Sequence, residues 1–245
     1  MTANPSLWRA ATAGLVLGLL FSGSSLADEH SWSSGDPDRL VDADAPSAAR
    51  QLKAWVVETA DNQGLPFLII DKINAEALAF DREGQHLGTS PVLLGLARGD
   101  ISPAGIGDRP LSTIAPGERI TPAGRFMASM GENLGGKGIL WIDYDAALSL
   151  HPVITTRAAD RRQQRLTSTT AEDNRISYGC INVPAEFYDE IVGPAFSGTM
   201  GVVYILPEDQ SPSDAFFLAE GITPYAEGGV TPPPGSTRAL SGEAR

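Results

Sequence analysis

Pro66-Phe67-Leu68-Ile69-Ile70, then Ala75-Glu76-Ala77-Leu78-Ala79-Phe80, then Asp81-Arg82-Glu83-Gly84 form the stretch on which the fold turns. The first apolar run is too short for a helix. The second sets Leu78 and Phe80 on one face at a period of two, and the charged, glycine-ended segment reverses the chain. The three read as a β-meander. Further strands are expected at residues 91–96, 124–128, 139–142, 146–151 and 200–206, separated by Gly/Pro-rich loops, notably residues 96–121. No helical crossover of βαβ length is visible between them. The expected fold is therefore mainly β with a few helices, a mostly antiparallel barrel or sandwich rather than a parallel α/β sheet.

Upstream of the meander, Leu52, Trp55, Val56 and Ala60 fall on one helical face, with Thr59 its one polar member, and Pro46 suits a first helical position. Residues 28–44 hold six acidic groups against Arg39, the composition of a solvated leader. Before them a single charge, Arg9, precedes an apolar run to Phe21 and the small-x-small sequence Ser25-Leu26-Ala27, the layout of a secretory signal peptide. The run is shorter than the about 20 residues of a spanning helix. Beyond Pro207 the chain turns to Pro, Gly, Ser and Glu, a tail in which Phe216, Phe217 and Leu218 are candidates for docking. The expected organisation is a signal peptide over 1–27, leader and helix over 28–60, a β-rich domain over 61–207, and a tail over 208–245. A net charge of −12 argues against nucleic acid or an anionic membrane as partner. One cysteine and three histidines leave a Cys/His zinc site almost without ligands.

The only cysteine, Cys180, stands in Arg175-Ile176-Ser177-Tyr178-Gly179-Cys180-Ile181-Asn182. A lone thiol in an exported chain is either a buried bystander or a nucleophile. Pro184 suits the start of a helix that continues through Phe187, Tyr188, Ile191 and Val192. Cys180 is therefore expected on a loop just before a helix N-terminus, where the macrodipole lowers a thiol pKa. Gly179 permits a sharp turn, and the N–H groups of Tyr178, Gly179 and Cys180 are the candidates for holding an oxyanion. Of the imidazoles, His30 lies in the leader, His86 follows a turn and is expected to face solvent, and His151 closes a strand with Leu148 and Leu150 pointing the other way. Spacing alone leaves His151 equally a general base or a structural histidine.

Ser177-Tyr178-Gly179-Cys180-Ile181-Asn182 resembles the cysteine signature of the L,D-transpeptidase family, the YkuD-type catalytic domain: Ser/Thr-His-Gly-Cys-hydrophobic-Asn or Arg. His151 stands where that family places its catalytic histidine. Thr121-Pro122-Ala123-Gly124-Arg125-Phe126 resembles its Thr-Pro-x-Gly-x-Phe segment, and the likeness spans residues 61–207. The resemblance implies a β-rich domain with the cysteine in a cleft, no cofactor, and peptidoglycan stem peptides as substrate. Cys180 would attack the carbonyl before a terminal D-alanine, form a thioester and pass the acyl group to an amine of a second stem or of a protein. His151 would move the protons. With the signal peptide, this implies a periplasmic enzyme without stable membrane insertion and without a nucleic-acid partner.

Three features depart from the family pattern. Tyr178 replaces a second histidine, Pro152 follows His151 where glycine is common, and the segment 155–174 is long. That segment carries Arg157, Arg161, Arg162 and Arg165, with Arg175 just beyond. They read either as a lid gripping stem carboxylates, with Arg161, Arg162 and Arg175 in contact with substrate, or as a solvated helical face. Ser177 and Asn182 either contact substrate or bond the loop and cap the next helix. Trp141 and Tyr144 belong either to the cleft or to the core. Two other functions fit the same residues: an L,D-carboxypeptidase that uses water as acceptor, and an inactive peptidoglycan-binding protein.

Overall fold

A computed structural model describes residues 48–133, 135–212 and 215–216. The expected signal peptide and leader, together with Phe217, Leu218 and the end of the tail, lie outside the described residues. Helix α1 (Ala48–Thr59) buries Ala49, Leu52 and Val56 against the sheet. Removing each of the two larger side chains from water contributes about 1.5–3 kcal/mol. Ala60 already has φ +55° and lies past the helix end.

The strands are β1 (Phe67–Asp71), β2 (Glu76–Phe80), β3 (His86–Pro91), β4 (Leu94–Gly95), β5 (Gly124–Glu132), β6 (Gly138–Asp143), β7 (Leu148–Pro152), β8 (Arg175–Ser177), β9 (Ile181–Val183) and β10 (Met200–Ile205). Eight of them form one sheet in the order β3-β2-β1-β10-β5-β6-β7-β9, and β4 pairs with β8 apart from it. The mainly β fold is as the sequence predicts, and β1 to β3 are the expected antiparallel meander. Within this fold, β1–β10 and β7–β9 pair in parallel, so the sheet is mixed. Strand β10 returns late in the chain to fill the gap between β1 and β5. A crossover over residues 153–180, containing α2 (Arg162–Leu166), carries the chain from β7 to β9. Strands β8 and β9 have three residues each, too few to show a period in the sequence.

Strand β9 also corrects the expected setting of Cys180. It stands between the cysteine and the helical stretch of α3 (Ala185–Phe187), a π-turn (Tyr188–Val192) and α4 (Gly193–Phe196), so the thiol is not at a helix N-terminus. The π-turn has a local cause: Pro194 has no N–H and its ring would crowd the Glu190 carbonyl, so the helix widens.

Each face of the sheet has its own core. Leu68, Ile70, Leu140, Leu150 and Val203 pack with Val92, Leu94, Phe187 and Phe196 on one side. Phe67, Ile69, Val202 and Tyr204 pack under α1 on the other, where Phe216 docks edge-on to Tyr204. Cross-strand partners share a face. The register Tyr204↔Arg125, then Ser129↔Trp141, then Trp141↔Ser149 therefore carries that second face across to β7, ending at Ser149 and His151.

The long loop 96–121 is tied down from below. Lys72, its side chain fully buried, donates to Asp100 at 2.7 Å and to the carbonyls of Gly99 and Thr121. Asp100 in turn accepts the N–H groups of Glu208 and Asp209. Glu208 is gripped by both terminal nitrogens of Arg175, at 3.1 and 2.6 Å.

Candidate active site

The parallel β7–β9 pairing assembles the site. It sets Leu150 beside Ile181 and His151 beside Asn182, so one residue back Cys180 falls beside Ser149. Side chains alternate along both strands, which turns Ser149, His151, Cys180 and Asn182 to one face. The Cys180 sulfur lies 3.5 Å from Ser149 Oγ and 3.4 Å from the Ala147 carbonyl, which accepts its proton. Ser149 was not singled out from the sequence. The signal was there: the alternation that opposes His151 to Leu148 and Leu150 places Ser149 with His151.

Three groups hold the imidazole. His151 Nδ1–H donates to the Pro152 carbonyl at 2.8 Å, and Asn182 Nδ2–H donates to Nε2 at 3.2 Å. Arg162 Nη1 donates to Asn182 Oδ1 at 2.8 Å. A guanidinium has only donors, so the amide oxygen must face Arg162 and the NH2 must face the ring. That orientation makes Nε2 the lone-pair nitrogen and favours the neutral ring, so Nε2 takes a thiol proton only as the Asn182 N–H releases it. The Pro152 departure is explained here as well: its carbonyl alone is used, and Pro152 ends its strand, where no N–H is needed.

Electrostatics couple the pair. Burial would raise the Cys180 thiol, but the hydrogen bond and charge of His151, aided by Ser149, outweigh it and hold the thiol below its ordinary value. Burial likewise would lower His151, but Cys180 and the Pro152 carbonyl outweigh it and hold the ring above its ordinary value, against the opposing charge of Arg162. Both directions favour a thiolate–imidazolium pair that titrates as one unit. The thiol pKa is thus lowered by side chains on β7, with β9 lying between Cys180 and the helix.

The cysteine loop is clamped from two sides. Thr121 Oγ1 accepts the Gly95 N–H at 2.8 Å and donates to the Gly179 carbonyl at 2.7 Å, giving the Thr-Pro-x-Gly segment a structural role. The contact is close: a Cβ on Gly179, at φ +135°, would sit 2.8 Å from the Ile120 carbonyl oxygen, and one on Gly95 2.4 Å from that of Arg119. Ser177 Oγ donates to the Cys180 carbonyl at 2.6 Å and accepts the Gly179 N–H at 3.1 Å.

These bonds show where the other candidate residues lie. The Gly179 N–H is occupied by Ser177, whereas the Tyr178 and Cys180 N–H groups make no backbone hydrogen bond among the described residues and remain the oxyanion candidates. Ser177 and Asn182 are buried, one bracing the loop and the other the imidazole. Asn182 caps no helix: α3 starts at Pro184 without a side-chain cap. The Arg175 guanidinium is buried on Glu208 and the Lys72 and Ala97 carbonyls. Arg162 pairs with Asp160 as well as Asn182, and Arg165 donates to the Asp160 and Asp173 carbonyls. These two stitch the 155–174 segment to itself and to the site, while Arg161 is exposed at the left-handed position opening α2. His86 is half-buried, with Nε2 2.8 Å from Thr89 Oγ1. Trp141 and Tyr144 stack at 4.8 Å, and Tyr144 is 48% exposed, so the pair lies outside the buried core. Tyr178 lies under a residue that no sequence motif marked: the Arg119 guanidinium carbon is 4.0 Å from its ring centroid.

No protein-family model matches the chain, and no curated protein matches it. Among solved structures it is similar to the catalytic domain of an E. faecium L,D-transpeptidase, at 17% identity and a TM-score of 0.35, covering 58% of this chain and 96% of that one. A variant of an Enterococcus faecium L,D-transpeptidase gives 16% and 0.33, covering 58% of this chain and 49% of that one. The helical cell shape determining protein Pgp2 from Campylobacter jejuni gives 10% and 0.39, covering 71% and 62%. The chain thus spans about half to two thirds of the length of the latter two proteins. Similarity at this level assigns no activity, which the side chains themselves must carry.

Proposed function

We propose that this chain is a cysteine acyl transferase of the L,D-transpeptidase type, exported to the periplasm and acting on peptidoglycan stem peptides. The observation that carries the reading is the β7–β9 pairing that sets Cys180 on one face with His151, whose Nδ1 proton is fixed on the Pro152 carbonyl. The cysteine is set in a signature that resembles the family's cysteine motif.

The chemistry follows from that geometry. The Cys180 sulfur attacks the stem carbonyl before the terminal D-alanine. The oxyanion is met by the Tyr178 and Cys180 N–H groups, and collapse expels D-alanine, whose nitrogen takes the proton from His151 Nε2. In the second half an amine attacks the thioester, His151 takes its proton, and the thiolate leaves. Tyr178 enters no proton transfer in this scheme; its ring lies under the Arg119 guanidinium.

The test is mass spectrometry of products when the protein, or its Cys180→Ser variant, is incubated with purified disaccharide-tetrapeptide. A cross-linked dimer lacking one D-alanine, absent with the variant, is expected. Tripeptide alone would make water the acceptor and the protein an L,D-carboxypeptidase. Substrate binding without turnover by the folded protein would overturn the enzymatic reading in favour of a binding protein.

A further inference from the structure

Arg119 differs from Arg162, Arg175 and Arg109 in having no anionic partner among the described residues. Arg162 has Asp160, Arg175 has Glu208, and Arg109 has Glu118. Among the described residues no carboxylate pairs with Arg119. Its Nε and Nη2 both donate to the Ile114 carbonyl, at 3.3 and 3.1 Å, and its flat face rests on the Tyr178 ring. One edge and one face of the guanidinium are therefore fixed, and Nη1 makes no hydrogen bond among the described residues.

The position of the guanidinium is set by the same contacts that shape the cysteine loop. Arg119 is followed by Ile120 and Thr121, which press against Gly179 and bond its carbonyl. Tyr178, on which it rests, is two residues from Cys180. The guanidinium is half-buried, which weakens screening by salt. In a chain of net charge −12, an anionic ligand needs a local cation to approach the thiolate.

We propose that Arg119, braced on Tyr178, is a carboxylate-binding site beside Cys180 that selects acyl donors carrying a free carboxylate near the scissile bond. This rests on the reading of Cys180 as the nucleophile that attacks stem peptides. It assigns to Arg119 the carboxylate recognition that the sequence suggested for Arg161 and Arg162. It also accounts for Tyr178, whose ring is a flat platform that a guanidinium can stack on while keeping its edge donors free.

Two carboxylates of a stem fit this chemistry, the C-terminal one and an internal side-chain one. The test measures equilibrium binding to Cys180→Ala protein, so that turnover is not needed. The ligands are tetrapeptide as the free acid, the C-terminal amide, and the form amidated at its internal carboxylates. One amide is expected to bind about tenfold more weakly than the free acid, as for loss of a charge-assisted hydrogen-bond pair, and its identity names the carboxylate. Cys180→Ala/Arg119→Gln is expected to bind the free acid about tenfold more weakly and to lose the discrimination, with Arg119→Lys between the two. Equal binding of all three peptides to the parent overturns the proposal, as does discrimination that survives in Arg119→Gln and Arg119→Lys. Discrimination through Arg119 without turnover by Cys180 protein would keep the carboxylate site and remove the acyl-transfer reading.

Discussion

Arg162→Met should separate the structural and the electrostatic work of the 155–174 segment. Methionine keeps the aliphatic bulk and removes the charge and the donor. Asn182 is 1% exposed, so its Oδ1 becomes a buried acceptor without a partner, a loss of about 1–3 kcal/mol. At roughly 2–4 °C per kcal/mol for a chain of this size, melting falls by about 2–12 °C. The amide is then free to turn over and offer Oδ1 to a proton on His151 Nε2. A hydrogen bond of about 0.5–1.5 kcal/mol that favoured the neutral ring now favours the charged one, roughly 2- to 13-fold. The opposing charge of Arg162 is gone as well. His151 is already held above its ordinary pKa, and raising it further keeps the ring charged to higher pH. Acyl transfer needs a neutral ring to receive the amine proton, so its acid limb, followed by mass spectrometry of the products, moves to higher pH. A lower melting point with an unshifted acyl-transfer profile would refute the argument and leave Arg162 a strut.

Three further perturbations test the rest of the site. His151→Ala leaves only Ser149 to oppose the burial of Cys180, so the thiol rises and iodoacetamide alkylation at pH 7 slows by about tenfold or more; an unchanged rate would show that His151 does not activate the thiol. Thr121→Val strips the Gly95 N–H of its acceptor and frees the Gly179 carbonyl, at a cost of about 1–3 kcal/mol in chemical denaturation, with a fall in turnover that exceeds any change in peptide binding. Lys72→Met leaves Asp100 without its buried cation, while Arg175 still holds Glu208, a loss of about 3–5 kcal/mol. Burial would raise Asp100, but Lys72 and the N–H groups of Glu208 and Asp209 outweigh it and hold Asp100 below its ordinary value. Its contribution to stability is thus present above the ordinary aspartate value and lost as pH falls through the lowered one. Acid unfolding of Lys72→Met, followed by circular dichroism, should begin at higher pH than in the parent.

Much of this protein is written locally. The meander, the face of α1 and the strands β5, β6, β7 and β10 follow from short-range periodicity, because burial on one or both faces dictates which residues are apolar. Cys180 and His151 stood out as the lone thiol and a strand-end imidazole, and the signature around Cys180 singled them out before any geometry was known. What the local pattern left open was how distant segments meet. Serine, asparagine and arginine read the same in sequence whether they touch substrate, brace a loop or turn a ring. Asn182, Arg162 and Arg175 carry donors and acceptors whose partners lie across the fold, at His151, Asn182 and Glu208. The parallel return of β9 beside β7, the clamp of Thr121 on Gly179 and the stacking of Arg119 on Tyr178 join residues up to about sixty positions apart. The sequence by itself determined which chemical groups were present and which strands were possible. Only the tertiary structure decided which of those groups face one another, because a hydrogen bond or an ion pair depends on distance and direction in space, and neither is encoded in spacing along the chain.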